Sequence, residues 1–148
     1  MKVLIIVLLL ASCSSIFPQS QELKDLVNKS YNAIQSKASD YYNYGLANMN
    51  AGNYRAAISA FNDCILLSSN NANAYYYRGV CKCNLGQYQG GISDFNSAIK
   101  CRNRFGEAYR ERGMAKAALG NYSGACADFR KASKMGAYAD DLISQYCR

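Results

Sequence analysis

The stretch NLGQYQGGISDFNSAIK, Asn84 to Lys100, puts Gly86, Gly90 and Gly91 in and beside a segment whose second half has helical spacing. Glycine in a helix interior costs about 1 kcal/mol relative to alanine, so these glycines need a structural reason. Repetition supplies it. AGNY at Ala51 to Tyr54, LGQY at Leu85 to Tyr88 and LGNY at Leu119 to Tyr122 recur at a spacing of 34 residues. Ahead of them, Tyr41, Tyr75 and Tyr109 and then Gly45, Gly79 and Gly113 keep that spacing. Behind them, so do Ala57, Gly91 and Ala125, then Phe61, Phe95 and Phe129, then Cys64, Ala98 and Ala132.

Large and small residues holding their places in three copies describe a helical hairpin repeated in tandem. A first helix starts near Tyr41, Tyr75 and Tyr109, a Gly-x-Tyr turn breaks it, and a second helix carries the phenylalanine and small residues on one face. Gly86 is then a turn glycine. Gly91 fills a small-residue slot where the paired helices approach, facing Gly45, Gly79 and Gly113 in their respective copies. Gly90, which matches Ala56 and Gly124, falls near the start of a second helix, where glycine costs least.

These residues resemble the tetratricopeptide repeat (TPR), whose 34-residue unit has an aromatic at position 4, Gly at 8, Gly-x-Tyr at 15 to 17, Ala at 20, Phe or Tyr at 24 and Ala at 27. The resemblance implies an all-α fold, a right-handed solenoid of helix-turn-helix hairpins with flanking capping helices. Three units are assigned: 38–71, 72–105 and 106–138. Tyrosine replaces the usual tryptophan at position 4, Cys64 replaces alanine, and Ser69, Asn103 and Gly136 stand where proline is frequent. The Sel1-like repeat, with longer units, fits the constant spacing less well. Residues 21–37, with Leu23, Leu26, Val27, Ala33 and Ile34 on roughly one helical face, and residues 139–148 are expected to cap the two ends. A repeat stack needs such ends to bury a continuous core.

The N-terminus MKVLIIVLLLASC has one positive charge, Lys2, then an apolar run from Val3 to Ala11. That is the pattern of an export signal, and the run is far short of the roughly 20 residues of a permanent membrane span. Leu10-Ala11-Ser12-Cys13 resembles the lipobox of bacterial lipoproteins. The resemblance implies a signal peptide at 1–12, lipidation of Cys13, and a tether at 13–20 that contains Pro18. It also implies a cell-envelope location, with Ser14 pointing to the outer membrane facing the periplasm.

The chain has no histidine, which removes imidazole acid/base catalysis and Ser-His or Cys-His nucleophile pairs. No enzyme, metal site or cofactor is expected. The formal charge of +7 is spread among acidic residues, with a mild concentration from Arg102 to Gly113. It reads as a solvated face rather than a nucleic-acid site.

Arg78 and Arg112 stand at repeat position 7, and Asp94 and Asp128 follow sixteen residues later. The first copy has Tyr44 and Ala60 at those places. Charge is present at both positions or at neither, so Arg78 with Asp94 and Arg112 with Asp128 are expected to be structural ion pairs within a hairpin. Besides Cys13 there are Cys64, Cys81, Cys83, Cys101, Cys126 and Cys147, and exported chains form disulfides. Six cysteines allow about fifteen complete connectivities. Cys126 with Cys147 is the favoured pair, because it would pin the terminal helix and because GACADFRKASKMGAYADDLISQYC resembles an ending common among exported TPR proteins. Cys64 with Cys81 is a weaker candidate, and at least two cysteines are expected to be buried hydrophobes.

The TPR resemblance implies a concave groove lined by the first helices. On this chain that means Tyr42, Leu46 and Met49, then Tyr76, Val80, Cys83 and Asn84, then Arg110, Met114 and Ala117. An apolar, aromatic groove suits an extended peptide or a partner helix. Tyr42 and Leu46 occupy places where some TPR domains carry the Lys and Asn that clamp a chaperone's C-terminal carboxylate, so that ligand is not expected. The function expected is protein or peptide binding as an interaction module or assembly factor. An accessory role in an envelope complex through another face is the alternative.

Overall fold

The computed structural model describes residues 2–147, with side chains from residue 20 onward. The described residues form helices and no strands: α1 (Lys2–Asn50), α2 (Tyr54–Leu67), α3 (Ala72–Asn84), α4 (Tyr88–Cys101), α5 (Gly106–Ala118), α6 (Tyr122–Lys134) and α7 (Asp140–Tyr146). The chain divides into two units, Met1–Ser36 and Lys37–Arg148. The second is a TPR-like solenoid of helical hairpins, in which each helix from α2 onward packs on the next.

Three hairpins come from three turns of one design. Gly52, Gly86 and Gly120 have φ of 77°, 75° and 78°, a left-handed conformation that only glycine adopts without steric cost. In each turn the glycine N–H and the next N–H reach back to the end of the first helix. Gly86 donates to the Cys83 carbonyl and Gln87 to the Lys82 carbonyl, both at 2.9 Å. This closure satisfies carbonyls that a helix end leaves bare. Gly136, φ 82°, ends α6 in the same way, with its N–H on the Ser133 carbonyl. It stands where proline was noted to be missing, so glycine ends this repeat instead.

Inside each hairpin a phenylalanine ring lies on a glycine. Phe61, Phe95 and Phe129 are fully buried. A Cβ built on Gly45, Gly79 or Gly113 would stand 2.6, 2.8 or 2.6 Å from the Cε1 of the matching ring. Gly91 has no room either, since its Cβ would run into Cys83 Sγ and sit 3.1 Å from the Gly79 carbonyl oxygen. Gly90 differs: in the first turn of α4, its Cβ would meet only the Lys82 side chain, 3.2 Å away at Cδ.

The charges at position 7 bind neighbouring helices together. Arg78 holds Asp94 through Nε (3.0 Å) and Nη2 (2.5 Å), and Arg112 holds Asp128 through Nε (2.9 Å) and Nη2 (2.6 Å). Lys82 and Lys116 add second cations to the same carboxylates, at 2.8 and 2.7 Å. The free arm of each arginine donates to the preceding hairpin, Arg78 Nη1 to Asn62 and Arg112 Nη1 to Asn96. Each arginine also lies over the tyrosine at position 4, Arg78 5.3 Å from the Tyr75 centroid and Arg112 5.0 Å from that of Tyr109. The lysines and asparagines escaped the sequence reading although both pairs repeat at the spacing of 34.

The cysteines divide as well. Cys126 and Cys147 form a disulfide, Cα atoms 5.3 Å apart, that ties α7 to α6. Ser133 Oγ donates to Asp140 at the same junction. Cys64 and Cys81 are free and buried, so the weaker pairing is not made; both thiols serve as small core side chains around Phe61.

At the N-terminal end the helix and the unit division do not coincide: the units part between Ser36 and Lys37, where the sequence boundary was expected. A separate capping helix followed by a first-repeat helix was expected, with a boundary near residue 37. Instead α1 runs through it, because the stretch from Asn32 to Tyr44 contains no glycine or proline to stop it. Leu23, Leu26, Val27 and Ile34 on α1 are 62%, 61%, 59% and 45% exposed. The signal peptide, Cys13 and the tether as far as residue 19 lie outside the described side chains.

Two glycine substitutions separate close contact from mere tolerance. Gly113→Ala is expected to lower stability by about 1–3 kcal/mol through the clash with Phe129. Gly90→Ala should raise it by about 0.5 kcal/mol, since alanine favours the helix. Urea denaturation of both variants checks the pair.

Candidate functional site

The ten groove residues read from the sequence divide between packing and access. Tyr42 sets its ring edge-on to Phe61 at 6.0 Å and near Tyr77 at 6.1 Å, and Leu46 and Met49 pack on the same cluster. Tyr76 is enclosed by Tyr77 (5.0 Å), Phe105 (5.1 Å) and Phe95 (6.0 Å). Its burial, helped by the nearby Glu111 charge, pushes its hydroxyl pKa up to about 12. These tyrosines fill the joints between hairpins, as large side chains beside the Phe–Gly contacts must. Val80 and Arg110 are half-buried.

Cys83, Asn84, Met114 and Ala117 instead share a cavity of about 490 Å³. Its remaining walls were not read from the sequence: Glu111, Ala115 and Ala118 from α5, Tyr88 from α4, Tyr122 from α6, and Leu142 and Tyr146 from α7. The size is that of a small-ligand or side-chain pocket. Met114 and Tyr122 are 42% and 55% exposed, so the cavity opens to solvent. Tyr146 stacks on Tyr122 with centroids 6.0 Å apart and also covers Phe129 at 5.7 Å. The turn tyrosines Tyr88 and Tyr122 were visible as repeat marks, but their joining by α7 depends on how the chain end folds back.

Glu111 is the unusual group. Burial raises its carboxyl pKa, opposed by the charge and hydrogen bond of Arg110, whose Nη1 lies 2.6 Å from Oε1. Arg110 Nε is itself buried without a hydrogen-bond partner among the described residues. Asp128 contrasts with it. Burial would raise its carboxyl, but hydrogen bonds from Arg112 and Lys116 and their charges outweigh that and hold it below the usual value.

Among the described residues, burial disfavours the thiolate at three of the four free cysteines, and the fourth, Cys101, is exposed. Burial pushes Cys81 and Cys83 up to about 11 and also raises Cys64. A thiol reacts as its thiolate. Among the described residues no group of three or more Cys, Asp or Glu side chains is placed to hold a metal ion.

Comparison with known proteins agrees with this architecture. The tetratricopeptide repeat model matches residues 41–71. The first TPR of Spaghetti (RPAP3), solved with the HSP90 peptide SRMEEVD, superposes with a TM-score of 0.74 at 21% identity, covering 76% of this chain and 92% of that one. The Arabidopsis OM64 TPR domain gives 0.73 at 23% identity over 76% and 94% of the two chains. MamA gives 0.66 at 25% identity over 80% and 71%. No curated protein matches the chain in sequence.

The two carboxylates respond to acid in opposite senses. With its pKa depressed in the fold, Asp128 contributes stability that is complete above the unfolded value of about 3.9 and disappears as pH falls through the lower folded value. Asp128→Asn should therefore cost about 3 kcal/mol at pH 7 and progressively less below pH of about 4. Glu111, with a raised pKa, penalises the fold once ionised. Glu111→Gln should raise the melting temperature at pH 7, and the gain should fade below the unfolded value of about 4.3. Thermal melts across pH check both signs.

Proposed function

We propose that this chain is a non-catalytic protein-interaction module whose concave face holds an extended peptide or a partner helix. One observation carries the reading: the solvent-open cavity between α3, α5 and α7 meets exposed Met114 and Asn84 on helices otherwise locked into the core. A rigid stack that leaves methionine and tyrosine accessible in a concavity suits peptide side chains, since it loses little entropy on binding. The TPR structure solved with a bound HSP90 peptide supports the reading by showing a similar fold carrying such a ligand.

On this proposal the chain is exported and held by lipid on Cys13 at the outer membrane, facing the periplasm. There it acts as an assembly factor, and the anchor limits where its groove meets a partner. The support is the sequence from Met1 to Cys13. Two or more acyl chains would give stable attachment. Among the described residues no helix is long and apolar enough to cross a membrane.

A second reading is an accessory subunit of an envelope complex bound through another face. The exposed Leu23, Leu26, Val27, Tyr31 and Ile34 on α1 favour it.

Crosslinking capture from intact cells separates the two. Tyr76 is half-buried and packs against a core cluster, so the test uses the accessible pair Asn84→Ala with Met114→Ala. Loss of a wild-type partner from the folded double variant is the expected result. Retention of every partner would contradict groove recognition and favour the α1 face. Cys13→Ser is expected to release the protein from the membrane fraction, and unchanged retention would contradict the anchor.

A further inference from the structure

The 490 Å³ cavity is lined by a single ionisable acid, Glu111, together with three tyrosines, Tyr88, Tyr122 and Tyr146. Among the described residues no lysine or arginine lines it, although the chain carries a formal charge of +7. The lining itself carries no cation, and Arg110 pairs with Glu111 from beside it. Tyrosine faces attract cations electrostatically, most strongly where water is thinned. A half-buried carboxylate adds to that attraction and is costly where its partners are incomplete. Glu111 has Arg110 at Oε1 as its hydrogen-bonding partner. Among the described residues no hydrogen bond reaches its Oε2.

We propose that this cavity receives the Lys or Arg side chain of a bound peptide, its charged end set between Glu111 and the tyrosine rings. Its methylenes lie against Met114 and Leu142, as long cationic side chains place their stems on apolar surface. The inference rests on the groove reading and adds the partner's chemistry to it. An acidic residue would face the Glu111 carboxylate with no lining cation to meet it. An aliphatic one would leave that carboxylate desolvated and only half paired. A metal ion would find one carboxylate and no second acid. The cage is also prearranged, since the Cys126–Cys147 disulfide holds α7 and the stacked Tyr122 and Tyr146 rings form its outer wall.

The test uses fluorescein-labelled, end-capped peptides Ala-Leu-Xaa-Leu-Ala with Xaa as arginine, lysine, norleucine or glutamate, titrated with the full chain by fluorescence anisotropy. Arginine and lysine peptides are expected to bind about ten-fold tighter than norleucine, a cation–π and charge contribution of the usual size. Glutamate should bind worst. Glu111→Gln and Tyr122→Leu should each shrink the arginine-to-norleucine ratio to about three-fold or less. Circular dichroism establishes folding, and either folded variant suffices for the comparison. Binding without a cationic preference, or a preference that survives in the folded variants, would overturn the cationic subsite and leave groove recognition standing. Failure of every peptide to bind would overturn both.

Discussion

The contact on which this fold depends is a phenylalanine ring laid on a glycine backbone. Phe61 on Gly45, Phe95 on Gly79 and Phe129 on Gly113 bring two helices close enough that no Cβ fits between them. Hydrophobic burial supplies the attraction, and the missing side chain sets the distance. Everything else in the hairpin follows from that spacing. The turn must be short, so Gly52, Gly86 and Gly120 adopt left-handed backbone. The helix faces must be small, so Cys64, Ala98 and Ala132 follow the phenylalanines by three residues. Charge can then cross the hairpin, because Arg78 and Arg112 reach their aspartates through Nε and Nη2 together.

Much of this was legible because the repeat measures the same environment three times. A glycine or phenylalanine recurring at one spacing speaks for a contact rather than for a propensity. The same logic exposed Arg78 with Asp94 and Arg112 with Asp128, and it would have exposed Lys82, Lys116, Asn62 and Asn96 had every polar position been compared. What repetition cannot show is what happens once. The continuity of α1 arises from the absence of a breaker between Asn32 and Tyr44, a negative signal that a repeat boundary overrode. The cavity joins residues of two repeats to α7, whose return over Phe129 has no counterpart elsewhere in the chain. Nor could spacing tell Tyr42 and Tyr76, turned into the joints, from Met114, turned to solvent at the same face.

Two acids of one hairpin, buried Asp128 and half-buried Glu111, stand in opposite surroundings. Asp128 is surrounded by Arg112 and Lys116 and is held ionised. Such a group belongs to the frame. Glu111 has one neighbouring cation, a raised pKa and an open cavity in front of it. Perturbed titratable groups in clefts gather where proteins meet ligands. Both sit in one hairpin, one paired across it and one beside the cavity, and that contrast supports the proposed groove where the fold alone would not, since a repeat scaffold serves many functions.

The central claim is that partners enter the concave face, and site-specific photocrosslinking in intact cells tests it most directly. A photoreactive amino acid at Met114 faces the groove, while one at Ala127 sits on the exposed side of α6. The account predicts a discrete protein adduct from position 114 and none from position 127. An adduct from position 127 with none from position 114 would contradict it.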